Sequence, residues 1–375
     1  MKKSVLLLCV MLSSSLAFAQ GAEEEESATR FLVIPKFEVN PSFAVGKGAS
    51  NGFCFGNTSL YTLFEGDFGG SNFSYSMEGH WMRDHWLGAN EPGALYTNAF
   101  CSQESSFIDW AYLTYTLGSL DLSAGKVPVP IGTFENYEYD FDSHSVLNST
   151  VWNNLSVYQW GVQLGWTSPG ESTYLAAHFS SSPFGEHPFS GTATNPALYS
   201  YSLYLIGEYG NLGLLGSVNV VEYDRGSFVN NVALGLKYPI GDSFVLEADY
   251  STRAYGGDNI FNSEGTVLGS LGWSPSDKFS LVLKGGYEFC NAEEDVIGWN
   301  PLLDEEDPMD YFVPASLALM GKGYCFGGLM ASWYPLEDNR DLRVHGLVAI
   351  NNWTKSLSLN IGATYFLDLR KFFRR

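Results

Sequence analysis

Tyr158-Gln159-Trp160-Gly161-Val162-Gln163-Leu164-Gly165-Trp166 carries an apolar side chain at every second position and a small or polar one between. Successive side chains of a strand point to opposite faces, so this stretch is a β-strand with one apolar and one small or polar face. The same period recurs in both directions along the chain. Phe73, Tyr75, Met77, Gly79 and Trp81 alternate with Ser74, Ser76, Glu78 and His80, and Phe244, Leu246, Ala248 and Tyr250 with Val245, Glu247, Asp249 and Ser251. Phe279 to Tyr287 and Leu357 to Leu367 repeat it, and no amphipathic helix of comparable clarity interrupts the series.

The connections between ladders alternate in length. Short turns at Ser168 to Glu171, Gly210-Asn211, Pro239 to Ser243 and Ser274 to Asp277 are interleaved with longer polar stretches at 181–198, 224–229, 255–264 and 291–322. Short periplasmic turns facing long extracellular loops are the connectivity of outer-membrane barrels. A secreted two-sheet sandwich is the alternative, and it calls for polar outward faces, whereas here the consistently apolar face ends in Trp and Tyr as an interfacial girdle does. In hydrocarbon every backbone N–H and C=O must be paired within the protein, so an all-strand chain spans a membrane only as a closed barrel. The expected fold is therefore an all-β, antiparallel transmembrane barrel over 31–375 of about 16 strands, starting near 31, 59, 72, 105, 120, 156, 173, 199, 212, 230, 244, 265, 278, 323, 342 and 357. Val313 to Gly321 is read as loop, and counts of fourteen or eighteen stay open.

Composition agrees. Of 375 residues 45% are hydrophobic, 15% aromatic and only 16% charged, with 40 Gly, which is too aromatic for disorder and too low in charge for a typical soluble domain. A net charge of -21 runs against nucleic-acid binding, which needs clustered Lys and Arg. Lys2 and Lys3, the apolar run Val5 to Leu12 and Ala17-Phe18-Ala19 have the order of a secretory signal peptide over 1–19, followed by an acidic segment over 20–30. Cys9 lies inside the apolar run rather than at its end, which argues against lipidation. No later segment has the roughly 18 apolar residues of a membrane helix.

Four cysteines remain in the exported chain, an even number in an oxidising compartment. Their positions relative to the long loops suggest bridges Cys54 to Cys101 and Cys290 to Cys325, with unbridged thiols as the alternative. No CxxC or clustered Cys/His spacing points to a metal, and no cofactor is expected.

Ile108-Asp109-Trp110-Ala111-Tyr112-Leu113, Leu120 to Gly132 with its Gly125-Lys126 ending and Pro128 and Pro130, and Trp160 to Leu164 resemble the phosphate-selective porin O and P family and its relatives in Bacteroidetes-type outer membranes. The resemblance covers 105–166. It implies a sixteen-stranded, often trimeric, passive channel for small hydrophilic solutes or ions in an outer membrane, among lipid and lipopolysaccharide. One departure bears on the solute, because phosphate-specialised members are similar in lining the channel with a ladder of Arg and Lys. Here the basic residues read as luminal are Lys36, Lys126, Arg253 and Lys284, against Glu38, Glu78, Asp109, Asp121, Glu247, Asp249, Glu288 and Asp368. Such a lumen favours neutral or cationic solutes.

The third long loop, 127–155, carries Glu135, Asn136, Tyr137, Glu138, Tyr139, Asp140, Asp142 and His144. Folded inward, it narrows the pore, and Glu135, Glu138, Asp140 and Asp142 are expected to set selectivity there beside Lys126. Two other classes stay open. A barrel serving as adhesin or receptor shares this pattern. A barrel acyl hydrolase is suggested by Asp142-Ser143-His144-Ser145, but adjacency on a loop supplies neither nucleophile geometry nor an oxyanion site. The acidic runs Glu23 to Glu26 and Asp304 to Asp307 read as solvated charge.

Overall fold

The computed structural model describes residues 29–44, 52–54, 58–81, 108–140, 142, 147, 149, 158–182, 197–255, 259–291, 323–337, 339–352 and 356–370. Strands follow one another as β1 (Arg30–Ala44), β2 (Gly52–Cys54), β3 (Ser59–Asp67), β4 (Phe73–His80), β5 (Ile108–Leu117), β6 (Leu120–Pro128), β7 (Tyr158–Thr167), β8 (Thr173–Ser181) and β9 (Tyr199–Tyr209). They continue as β10 (Leu212–Asp224), β11 (Ser227–Ile240), β12 (Phe244–Tyr255), β13 (Glu264–Ser276), β14 (Phe279–Cys290), β15 (Tyr324–Trp333), β16 (Leu342–Asn351), β17 (Ser356–Tyr365) and β18 (Leu367–Asp368). A single-turn helix, α1 (Phe134–Tyr137), lies between β6 and β7.

Every neighbour from β3 to β17 pairs antiparallel with the next, and β1 closes the ring by pairing with β3 on one side and with β17 and β18 on the other. This is a closed barrel of sixteen strands, with β18 prolonging β17 and β2 an extra short strand against the outer end of β1. The strand starts lie within three residues of those read from the period-two ladders.

One turn at the extracellular end departs from the sequence reading. Between β10 and β11 only Arg225 and Gly226 connect the strands, with Gly226 at φ +80°. The polar residues of 224–229 sit on a long projecting hairpin instead of in a loop, because a two-residue turn with a positive-φ Gly closes a twisted ladder directly. Likewise Val127 and Pro128 belong to β6, so the third loop begins at 129.

The alternation now has physical faces. Leu113, Val162, Leu164, Leu175, Leu203, Leu234, Leu246, Leu283 and Ile361 are exposed on the outside. Aromatic rings flank this band toward the periplasmic turns, with Phe73 against Tyr115 at 4.8 Å and Phe244 stacked on Trp273 at 6.1 Å. Phe179 and Tyr199, 5.4 Å apart, do so toward the other end. The outer surface is thus a lipid-facing band with two girdles. Leu203 is 63% exposed near the middle of β9. Leu203→Arg should cost about 2–4 kcal/mol of insertion free energy. A urea titration of folding into lipid vesicles checks this, and an unchanged midpoint would remove this face from the bilayer.

Of the Cys290 to Cys325 pair, the side chain of Cys290 lies outside the described residues. Cys325 is an exposed free thiol whose register partner is Tyr287, three residues short of Cys290 along β14. Strand pairing, which proximity in sequence to a common loop does not reveal, sets that offset. The Cys54 to Cys101 pairing, residues 1–28, Ser143 to Ser145, Asp304 to Asp307, Val313 to Gly321 and the final residues 371–375 lie outside the described residues, as does the side chain of Cys54.

Candidate functional site: the lumen and its inward loop

Inward positions alternate with the lipid-facing ones, and they are polar. On β11, Leu234, Leu236 and Tyr238 face out, which turns Ala233, Gly235 and Lys237 inward. On β16, Val348 and Ile350 face out and Arg343, His345 and Leu347 in. A closed barrel of sixteen strands is too wide for wall side chains alone to fill. The loop after β6 enters that space and crosses it.

Val129 and Ile131 pack on Ala233 of β11. Gly132 donates its N–H to Ser217 Oγ on β10 at 2.8 Å. Thr133 then caps α1, its side chain accepting from the Asn136 N–H. Phe134 and Tyr137 bury their rings among Tyr174, Ala176, Tyr204, Ile206 and Leu215. The free N–H groups at the start of this turn are satisfied by the wall, where Asp249 of β12 accepts from Phe134 and Glu135, both at 2.8 Å. Further on, Tyr139 packs against the cluster of Leu32, Ile34, Tyr61, Leu63 and Trp110, and Leu147 against Met330, Leu347 and Ala349.

The four loop carboxylates each meet a wall cation. Glu135 pairs with Lys284 at 2.8 Å and accepts from the Ser149 N–H at 2.8 Å. Glu138 pairs with Lys237, which also holds Glu247 at 3.2 Å. Asp140 accepts both guanidinium nitrogens of Arg343, at 3.0 and 2.7 Å. Asp142, with no exposed surface, meets Arg343 Nε, His345 Nδ1 at 3.1 Å, Lys36 Nζ at 3.9 Å and the Thr364 hydroxyl. Lys36 and His345 in turn bind Glu38, at 3.0 and 2.9 Å. The His345 ring is thereby held between two carboxylates, Nε2 toward Glu38 and Nδ1 toward Asp142. Glu38, Asp142 and His345 bring donor atoms within 4.8 Å of one another, a spacing a cation could bridge, but Lys36 and Arg343 already supply the positive charge.

Burial and the charge of Glu247 push the Glu138 carboxyl up to about 7 against the pull of Lys237. At Asp142 burial works the same way, yet the Arg343 guanidinium, His345 and Lys36 outweigh it and hold the group below the usual carboxylate range.

The remaining residues singled out in the sequence lie around this network. Lys126 is buried on β6 with its ammonium on the Ile108 carbonyl at 3.0 Å. Glu78 is buried on β4, Asp109 sits at a bulge of β5 with His80 3.8 Å away, and Glu288 accepts from Thr266. Arg253 binds Glu264. Lys237, Arg343 and His345 escaped the sequence reading, although their alternation with Leu236, Val344 and Gly346 was the available signal. The carboxylate of the Asp142-Ser143-His144-Ser145 motif is engaged by Arg343, His345 and Thr364, and the other three residues of the motif lie outside the described residues. Between the loop and the wall of β11 to β16 a cavity of about 260 Å³ remains toward the periplasmic turns, bordered by Glu135, Glu138, Lys237, Lys284 and Arg343.

No family model matches the sequence, and no curated protein does either. Solved structures with the same fold include the outer membrane channel DcaP of Acinetobacter baumannii, at 14% identity and a TM-score of 0.53 over 92% of this chain and 99% of that one. A double mutant of the Rh. blastica porin gives 0.54 at 9% identity, over 90% and 100%. A loop-deletion mutant of OmpT, an outer membrane protein of Vibrio cholerae, gives 0.52 at 12%, over 91% and 100%. At such identities the likeness is one of fold.

Proposed function

We propose that this chain is an outer-membrane porin, exported with a cleaved leader, that passes small hydrophilic solutes by diffusion and weakly prefers neutral or cationic ones. The observation that carries this reading is a closed sixteen-stranded barrel, apolar outside and polar inside, whose lumen is narrowed by a loop bonded to its wall. The fold it shares with a described channel and a porin supports the same reading. The narrower kinship with the phosphate-selective porins rests on 105–166 alone.

Charge in the narrowed section sets the preference. Among the described residues, Glu38, Glu135, Glu138, Asp140, Asp142, Glu247 and Asp249 stand there with Lys36, Lys237, Lys284, Arg343 and His345. The surplus is acidic, so cations are drawn in and anions meet a barrier. A row of basic residues is present, as a phosphate channel would need, but loop carboxylates occupy it.

The test is single-channel conductance and reversal potential of the refolded chain in a planar bilayer under a KCl gradient. Modest cation preference is expected. Glu135→Gln with Glu138→Gln removes a carboxylate from Lys284 and one of the two on Lys237, and should move the reversal potential toward anions. Lowering the pH from 8 to 6 should move it the same way, since protonating Glu138 removes one negative charge. Reversal potentials unmoved by both changes would sink this account of selectivity, and absence of conductance would turn attention to an adhesin or receptor role.

A further inference from the structure

The inward positions of β11 to β16 fall into rows across the strands, and one row is wholly apolar. Pro239 lies opposite Val245, Val245 opposite Gly272, Gly272 opposite Val282, Val282 opposite Met330 and Met330 opposite Leu347. One inward step toward the extracellular end, Lys237 lies opposite Glu247, Glu247 opposite Ser270 and Ser270 opposite Lys284. Apolar side chains gain by leaving water, so a continuous apolar row in a polar lumen calls for something to cover it. Leu147 of the narrowing loop covers Met330 and Leu347. Val245 and Val282 stay half-buried and border the cavity of about 260 Å³ between loop and wall.

Small residues on β13 shape the uncovered part. Gly272 stands between Val245 and Val282, and Ser270 between Glu247 and Lys284, so the wall carries a notch with an apolar floor and opposite charges on either side of its upper end. All six residues border the cavity. The side chains of Glu247 and Lys284 keep 20% and 10% of their surface exposed beside their ion pairs with Lys237 and Glu135. Neighbouring strands lie about 4.8 Å apart, so these two residues, two strands apart, stand roughly 10 Å from each other along the row.

Its chemistry selects the solute. An ion of either sign is drawn to one side of the notch and repelled by the other. A molecule with an ammonium and a carboxylate on one carbon satisfies both, since two charge-assisted hydrogen bonds of about 2.8 Å and the solute between them span about the same distance. Its third substituent then points toward the periplasm, onto Val245, Gly272 and Val282, where an apolar group gains by leaving water. The size of the cavity suits one small molecule of this kind, as drug-sized ligands occupy pockets of about 300–1,000 Å³.

We infer that Val245, Glu247, Ser270, Gly272, Val282 and Lys284 form a subsite, on the periplasmic side of the narrowing loop, for a zwitterionic α-amino acid with an apolar side chain. This rests on the channel reading above and names a solute class, neutral overall, within the preference given there.

Leucine is the probe. In a planar bilayer with symmetric KCl, leucine added on the side of the short turns should reduce the ion current saturably. Serine, leucinamide and isocaproate, which lack the apolar side chain, the carboxylate and the ammonium in turn, should each block more weakly. A Cβ at Gly272 meets nothing closer than the Val245 carbonyl oxygen at 3.8 Å, so the wall accepts a side chain there. Gly272→Leu fills the notch and should raise the half-blocking leucine concentration at least about tenfold, the worth of one buried leucine side chain. Val282→Thr keeps the shape but takes a methyl group from the apolar row, which should weaken the block about fourfold, and it covers a Gly272 variant that does not fold. A conducting wild type that leucine leaves untouched, a block by serine, leucinamide or isocaproate equal to that by leucine, or a half-blocking concentration unchanged in both variants would each overturn the subsite while leaving the channel standing. A folded wild type without KCl conductance would overturn both.

Discussion

Arg343→Ala should release the narrowing loop from the β16 wall and raise single-channel conductance, with an increase in open-channel noise. Arg343 is 5% exposed and is the one side chain that binds both Asp140 and Asp142 among the described residues. Removing it strips Asp140 of its two-pronged partner and leaves Asp142 beside Glu38 with Lys36 and His345 between them. Stripping one partner from a buried ion pair typically costs about 3–5 kcal/mol, because the remaining charge stays desolvated and unpaired. A loop held by side chains avoids that cost by lifting off, whereas the barrel, held by continuous ladders from β1 to β17, does not need to open. Gel mobility before and after heating should therefore show an intact barrel while the conductance rises. Arg343→Lys keeps the charge but loses the two-pronged contact with Asp140, and should fall between the two. Wild-type conductance in Arg343→Ala would mean that the aromatic and backbone contacts of α1 hold the loop unaided.

The network behind this expectation was the least legible part of the molecule. Period-two alternation is local, so Tyr158 to Trp166 and its repeats announced a barrel and set most strand starts without any tertiary information. What a luminal side chain touches is not local. Asp140 and Arg343 are 203 residues apart, and Phe134 and Asp249 are 115 apart. Each of those residues, read alone, is an ordinary member of a polar face or an acidic loop. The loop's density of Glu and Asp suggested free charge in a pore, whereas the fold sets Lys237, Lys284, Arg343 and Lys36 against it and turns most of that charge into attachment. The cysteines show the same limit in another form. Cys290 and Cys325 flank one loop, but the ladder sets Cys325 beside Tyr287. The apolar row on β11 to β16 left even less trace, since a single Val or Gly among polar positions is ordinary in any one strand until the register brings Val245, Gly272 and Val282 side by side.

Gly132→Val should free the loop from its other end. A Cβ at Gly132 would stand 2.4 Å from the Gly216 carbonyl carbon and 2.4 Å from the Ser217 nitrogen, both backbone atoms of β10. Those atoms belong to ladders with β9 and β11 and cannot yield without breaking them, so the loop must move instead. Moving it breaks the Gly132 bond to Ser217, draws the Phe134 ring out of its aromatic cluster at about 1.5–3 kcal/mol of lost burial, and parts Asp249 from two N–H groups. Conductance should rise as in Arg343→Ala, with Gly346→Ala as a silent control because a Cβ there meets nothing within 4 Å. The two releases act on opposite sides of the lumen and share no contact, so their combination separates two mechanisms. If the loop docks as a single body, either variant undocks it and the double variant adds little further conductance. If its ends dock independently, the two increments add. Wild-type conductance in Gly132→Val would show that the loop tolerates displacement at β10 without opening the pore, and would leave the ion pairs of β14 to β16 as the element that closes it.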